Sequence, residues 1–400
     1  MHISEMPYFA KEISNAVFVD DMGSCCSFTK IKIKKRKGEI NVKTKKILHI
    51  LLAMLVLAMT VAYCTGAESP SEQIAETTSY IFTDSSGREV ELPSDIERIA
   101  PSGPLAQIVL FTLCPDKLVG FANDISDVQF EYIEKKYAEL PVFGNFYADT
   151  LNLESVMVAG PQVIIDIGEI KPNIEDDMSG IQEKTGIPTI FVHMEMDSMI
   201  SAYETLGEVT GETEQAQKII DYIEETLTQT ELKVADIAED ERVHVYYGQD
   251  DGLTALVSGT VHSDVIETVG GFNVAEVEES VRGGASIISM EQLMLWNPEV
   301  ILFSPGSIYD SVEERTEWEE ISAVKTGQFY EIPDGPYNWM GRPPSVNRVL
   351  GIKWLSNLLY PDVFEYDMEE EIKEFYKLFY HCDVTDTQIE ELLGRSTLKE

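Results

Sequence analysis

TEQAQKIIDYIEETLTQTELKVADIAED occupies residues 213–240, just past the middle of a 400-residue chain. It holds neither Gly nor Pro. Ala216, Ile219, Ile220, Ile223 and Leu227 fall at the i, i+3, i+4, i+7 spacing of one helix face. Glu212 and Glu214 stand in the first turn, where the positive end of the helix dipole favours carboxylates. The spacing predicts one long helix over 212–241, on the order of 40 Å at ~1.5 Å per residue. Apolar spacing is not kept as heptads past Leu227, which argues against a coiled coil.

Two similar segments flank this helix. LNLESVMVAGPQVIIDIG (151–168) precedes it and ISMEQLMLWNPEVILFSPG (288–306) follows it. Glu154 aligns with Glu291, Met157 with Met294, Pro161 with Pro298, and Val163-Ile164 with Val300-Ile301. Each copy reads as a short helix led by Glu, a Pro break, and a buried strand opening onto a Gly-containing loop. Two copies are too few for a solenoid and suit two related lobes. Strands and helices alternate around them, through PTIFVHM (188–194), VHVYYGQ (243–249) and PPSVNRVLGIKWLSNLLYPDVF (343–364). The fold class is therefore α/β, with two lobes of largely parallel sheet joined by one rigid helix. The lobes span 79–211 and 242–400, the second ending in a helical tail capped at Thr385 or Asp386.

The net charge of −40 conceals an asymmetry. Residues 1–63 hold ten of the 30 basic and five of the 70 acidic residues, leaving 20 basic against 65 acidic in the remainder. So acidic a body excludes nucleic acid as a partner, because phosphate binding needs clustered positive charge. Lys43, Lys45 and Lys46 lead into the apolar run ILHILLAMLVLAMTVAYC, which ends at Cys64. A basic segment, an apolar core and a terminal Cys have the layout of an export signal over 42–64, with 65–78 as a polar tether. The body is then expected on the outer face of the cytoplasmic membrane, extracellular or periplasmic. Tyr63 stands where a small residue is usual, so an uncleaved membrane anchor is the alternative. Residues 1–41 precede the signal's own basic segment, and read as a mis-called extension with translation starting at Val42, or as a basic tail. Of the five cysteines, Cys114 reads as a core residue with Cys382 as its candidate partner, and no Cys/His cluster has metal-ligand spacing.

From residue 80 to 393 the chain resembles the substrate-binding lipoproteins of ABC importers for iron-siderophores, haem and cobalamin. The resemblance rests on ERIAPSGPLAQIVL (97–110), the paired LNLESV and ISMEQL segments, the long helix, SGTVHSDVIETVGG (258–271) and RPPSVNRVLGIKWLSNLLYPDVF (342–364). It implies two α/β lobes bridged by a helix with the ligand cleft between them, and lipidation at Cys64. The implied partners are a permease with its ATPase, a small-molecule metal complex and, through the lipid, the membrane; the protein itself is expected to be monomeric. The implied ligand is an iron-siderophore first, then cobalamin, haem or an oxyanion such as molybdate, with no intrinsic cofactor. It further implies that Glu154 and Glu291 meet arginines of the permease, where the residues alone read equally as helix-dipole placements.

Ligands of α/β folds sit at the carboxyl ends of parallel strands. That rule selects Ser102, Phe146, Tyr147, Tyr247, Arg282, Tyr337, Trp339 and Arg342 as ligand contacts. Phe146, Tyr147, Tyr337 and Trp339 offer flat apolar faces, while Arg282 and Arg342 offer pairing for carboxylates or oxyanions. His193 and His262 read as packing or capping residues, and no protein-held metal is expected. A chelatase-like or nitrogenase-like enzyme is the alternative class, but GxSxG, HExxH, P-loop and CxxC motifs are all missing from the sequence. A sensory ectodomain is the third.

Overall fold

A computed structural model describes residues 78–398. The extension, the signal and Cys64 lie outside the described residues. The chain opens with an antiparallel hairpin of β1 (Ser79–Thr83) and β2 (Glu89–Pro93). Its turn is organised by the buried Asp84 carboxylate, which accepts from the Ser86 and Arg88 amides at 3.0 Å and from Arg88 Nη1 at 3.1 Å.

The first lobe follows as β3 (Ile99–Pro101), α1 (Pro104–Leu113), α2 (Leu153–Ala159), β4 (Val163–Gly168), α3 (Ile174–Thr185), β5 (Thr189–His193) and α4 (Met199–Thr210). Its sheet has the order β3-β4-β5, all parallel. β4 is buried along its whole length because both faces are covered. Val163, Ile165 and Ile167 point into the core shared with α1 and α4, whereas Ile164 meets Val156 of α2 and Met178 of α3.

The helix predicted over 212–241 is α5 (Thr213–Val234), which buries Ala216, Ile219, Ile220 and Ile223. It stops earlier than its composition suggests. Val234 and Ile237 pack over Gly270, and residues 239–241 form a separate single turn.

The second lobe comprises β6 (His244–Gln249), β7 (Thr254–Leu256), α6 (Asp264–Thr268), β8 (Phe272–Asn273), β9 (Ala285–Ile287), α7 (Met290–Trp296), β10 (Val300–Phe303), α8 (Ser322–Lys325), β11 (Phe329–Glu331) and α9 (Asn347–Leu359). Its sheet runs β11-β10-β6-β7-β9, with β8 added on β6. β10 is parallel to β11 and β6; β7 pairs antiparallel to both β6 and β9.

The tail is α10 (Met368–Phe379) and α11 (Asp386–Leu393). Thr385 caps α11 through a capping box with Gln388. The tail is not confined to the second lobe. Its His381 ring nitrogen lies 3.1 Å from the Thr112 carbonyl, and Gln388 Nε2 donates to the Glu131 carbonyl at 2.9 Å, both in the first lobe. One hydrophobic core therefore runs from β4 through α5, α9 and α10 to β6 and β10. Cys114 and Cys382 are both free thiols. No helix among the described residues is long and apolar enough to cross a membrane.

Candidate functional site

β3 and β4 deliver two polar side chains to the carboxyl edge of the first lobe. Ser102 follows β3, and Asp166 interrupts the apolar run of β4. The Ser102 hydroxyl donates to Asp166 Oδ1, and the Tyr147 hydroxyl donates to Oδ2 at 2.5 Å. Tyr147 is held there by its own turn, where the Asn145 side chain accepts from the Tyr147 amide at 3.0 Å. Burial pushes Asp166 above the usual carboxylate range, against the pull of the two hydroxyls and Lys171. Lys171 Nζ sits 3.1 Å from the centre of the Tyr147 ring, a cation–π contact, and pairs with no carboxylate among the described residues.

The second lobe contributes Arg348, in the first turn of α9. This side chain is 1% exposed. Its Nη1 pairs with Asp264 Oδ2, while Nη2 has no protein partner. Burial lowers Arg348 and pushes Asp264 up to about 6, each opposed by the charge of the other. Between the lobes lies a cavity of about 160 Å³, lined by Gly103, Tyr147, Asp166, Glu169, Lys171 and Arg348 among others. The first turns of α1 and α9 border it from opposite lobes, and neither carries an acidic residue. In so acidic a chain that omission leaves two helix amino-termini free to favour an anion. A wider depression beside Pro172 and Asp176 lies outside the cleft.

Of the eight residues selected from the sequence, Tyr147 lines the cavity. Ser102 is fully buried and acts on Asp166. Phe146 is half-buried and packs edge-on against Tyr147, with ring centres 5.2 Å apart. Arg282 reaches across from the second lobe, its Nη2 3.4 Å from the Tyr147 carbonyl. Arg342 Nη1 donates to the Gly283 carbonyl at 3.2 Å, holding the rim loop. His262, close by, is held by the Gly341 carbonyl, 2.7 Å from Nδ1.

Three aromatic residues stand elsewhere than expected. Tyr247 is fully buried, because both faces of β6 are covered and its ring joins Val245 in the core. Tyr337 is half-buried and receives a hydrogen bond from Gln107 Nε2 at 3.3 Å, which ties the lobes together. Trp339 is 0% exposed and offers no face to a ligand. Its Gly- and Pro-rich loop folds inward onto α9, where Gly351 lets the helix approach so closely that a Cβ would lie 2.0 Å from the Trp339 carbonyl oxygen. Trp339→Ala should consequently cost about 3–5 kcal/mol of stability in urea denaturation. Ligand affinity of the folded fraction should stay unchanged in calorimetry; a selective loss of affinity would return Trp339 to the site.

The residues that sequence reasoning missed are Asp166, Lys171 and Arg348. A signal existed for two of them, since Asp166 is the one charge inside VIIDIG and Arg348 stands in the first turn of a largely apolar helix.

Comparison with known proteins agrees with this architecture. An ABC transporter substrate-binding lipoprotein of Bacillus subtilis, YvrC, itself uncharacterised, is 22% identical over 331 residues, covering 80% of this chain and 99% of the relative. An ABC transporter solute binding protein from Sulfurospirillum deleyianum is 28% identical in its solved structure, with a TM-score of 0.73 over 78% of this chain and 99% of that one. A periplasmic solute binding protein from Veillonella parvula is 25% identical, with a TM-score of 0.67 over 80% and 98%. The family model for periplasmic binding proteins matches residues 109–336, more than half of the sequence. The chain therefore belongs to the periplasmic binding protein family, as a substrate-binding component of an ABC transporter.

Proposed function

We propose that this protein captures an anionic ligand between its lobes, on the outer face of the cytoplasmic membrane, and hands it to the permease and ATPase of an importer. One observation carries the reading: Arg348, whose buried Nη2 has no protein partner, is among the residues lining the cleft cavity. A buried donor without a partner costs free energy unless something arrives to accept from it. Lys171 and the two helix amino-termini add to the same potential.

An iron-siderophore carrying net negative charge, the metal complex expected first, meets this requirement. Cobalamin and haem lose support, since Trp339 and Tyr247 are core residues. The cavity favours a second reading. Its volume of about 160 Å³ is well below the ~300–1,000 Å³ usual for drug-sized ligands, so a small oxyanion fits without parting the lobes. Calorimetry on the body lacking its leader should separate these readings, using molybdate, sulfate, a ferric catecholate, cyanocobalamin and haemin. Binding of molybdate or the ferric chelate is expected. Binding of cyanocobalamin alone would overturn the anionic reading.

We place the anchor at Cys64, outside the described residues, and take the body to be a monomer. A Cys64→Ala variant should appear in the soluble fraction after alkaline wash of membranes. Retention of that variant would favour an uncleaved anchor.

A further inference from the structure

We propose that Asp264 is a proton acceptor coupled to ligand capture: as an anion takes the free arm of Arg348, Asp264 takes up a proton from solvent, so the cleft binds more tightly in acid than in base. This rests on the anionic reading above and adds the regulation of that same site.

Arg348 and Asp264 form half of a fork. They meet through Nη1 and Oδ2 alone. Nη2 and Oδ1 are both buried atoms without a protein partner. A bidentate guanidinium–carboxylate pair would satisfy all four. One donor and one acceptor are thus left over, and each costs free energy where it stands. Arg348 lines the cavity, whereas Asp264 stands behind it, off the lining. A ligand therefore reaches the donor and not the acceptor. A proton relieves the acceptor, because a neutral carboxyl group is less costly to bury than a carboxylate.

The surroundings are short of positive charge. Asp264 faces Arg348 from α9 and Glu267, three residues along α6, whose carboxylate accepts from Ser258 Oγ at 2.8 Å. Arg348 in turn faces Glu169 and Glu195 from the first lobe, with His262 close by. Glu195 lies 2.7 Å from His193 Nε2. Burial already holds Asp264 up at about 6, against the pull of Arg348. An anion on Nη2 adds another negative charge around the same cation and raises Asp264 further. Asp264 then binds a proton from water, while the ligand remains ionised.

Linkage fixes the direction. Below about 6, Asp264 is protonated with or without ligand, and affinity is level. As pH rises from there to the higher value of the loaded state, each unit costs up to about tenfold in affinity. Above that value affinity is level again.

The test is calorimetry of the body with molybdate, which does not itself titrate near neutrality, in buffers of different ionisation enthalpy. At about pH 7 the unaltered protein should take up roughly half to one proton per molybdate, and affinity should fall about threefold to tenfold per pH unit. Asp264→Asn keeps the shape but cannot ionise, and should show neither effect. Infrared difference spectra of protein carrying isotope-labelled aspartate need no variant at this position. They should gain a protonated aspartic carboxyl band when molybdate is added, and the band should persist in Asp166→Asn. Molybdate binding without proton uptake, or without the band, would overturn the proposal. So would uptake that survives Asp264→Asn, which would move the proton to Glu267, Asp166 or His262. Failure of molybdate and of a ferric catecholate alike to bind at any pH would instead overturn the anionic reading itself.

Discussion

In an Arg348→Ala variant, affinity for the cleft anion should fall by about 2–5 kcal/mol, roughly thirtyfold to several thousandfold. Two effects add. The variant removes a cavity-lining guanidinium whose Nη2 is unpartnered, and it leaves the half-buried Asp264 without its cation. The second effect should cost ~1–3 kcal/mol of stability, because a half-buried carboxylate left without its partner is poorly solvated. A companion variant separates them. Arg348→Lys keeps a positive charge for Asp264 but lacks the second guanidinium arm and its fork geometry. It should unfold at nearly the normal urea concentration and still bind molybdate or a ferric catecholate ~1–3 kcal/mol more weakly. Unaltered binding by Arg348→Lys would move the anion away from α9. Loss of stability without loss of affinity in the alanine variant would make the Arg348–Asp264 pair purely structural.

Uptake should collapse when Glu154 and Glu291 are both replaced by arginine, while ligand affinity stays unchanged. Both carboxylates are exposed, each in the first turn of a short helix on its own lobe. The continuous core through α5, α9 and α10 restrains how far the lobes move apart, so a permease reads their surfaces rather than a large closure. Single charges at a wet rim contribute modestly. On the docking role that the resemblance implies, two on one rigid body would act as linked anchors, and reversing both would set like charges against the permease arginines. Transport measured in intact cells should drop by roughly tenfold or more, at unchanged surface abundance, in the double reversal. The two single alanine variants should show much smaller losses. Normal uptake by the double reversal would leave the pair as ordinary helix-start acids.

The architecture was legible in the sequence because its signals are local and repeated. The apolar period of α5, the two Glu-helix-Pro-strand segments and the buried runs at β4 and β10 each report on their neighbours within one or two turns. Two copies of one motif on either side of a long helix were enough to define two lobes. Expecting the cleft at the strands' carboxyl ends followed from topology, and Tyr147 and the loop after Ser102 stand beside the cavity at that edge.

Tertiary structure alone decided what the cleft contains. Asp166 and Lys171 come from the first lobe and Arg348 from the second, and no spacing rule joins segments so far apart in the chain. Their chemistry depends on burial and on which partners fail to reach them, as Nη2 of Arg348 illustrates. The same holds for the errors. Residues 335–342 have the composition of an exposed turn, yet Gly351 admits their backbone onto α9 and Trp339 disappears into the core. Tyr247 stands at the carboxyl end of a strand, but both faces of that strand are covered. Composition records which residues tolerate solvent; only packing determines which of them meet it, because burial is a property of every neighbour at once.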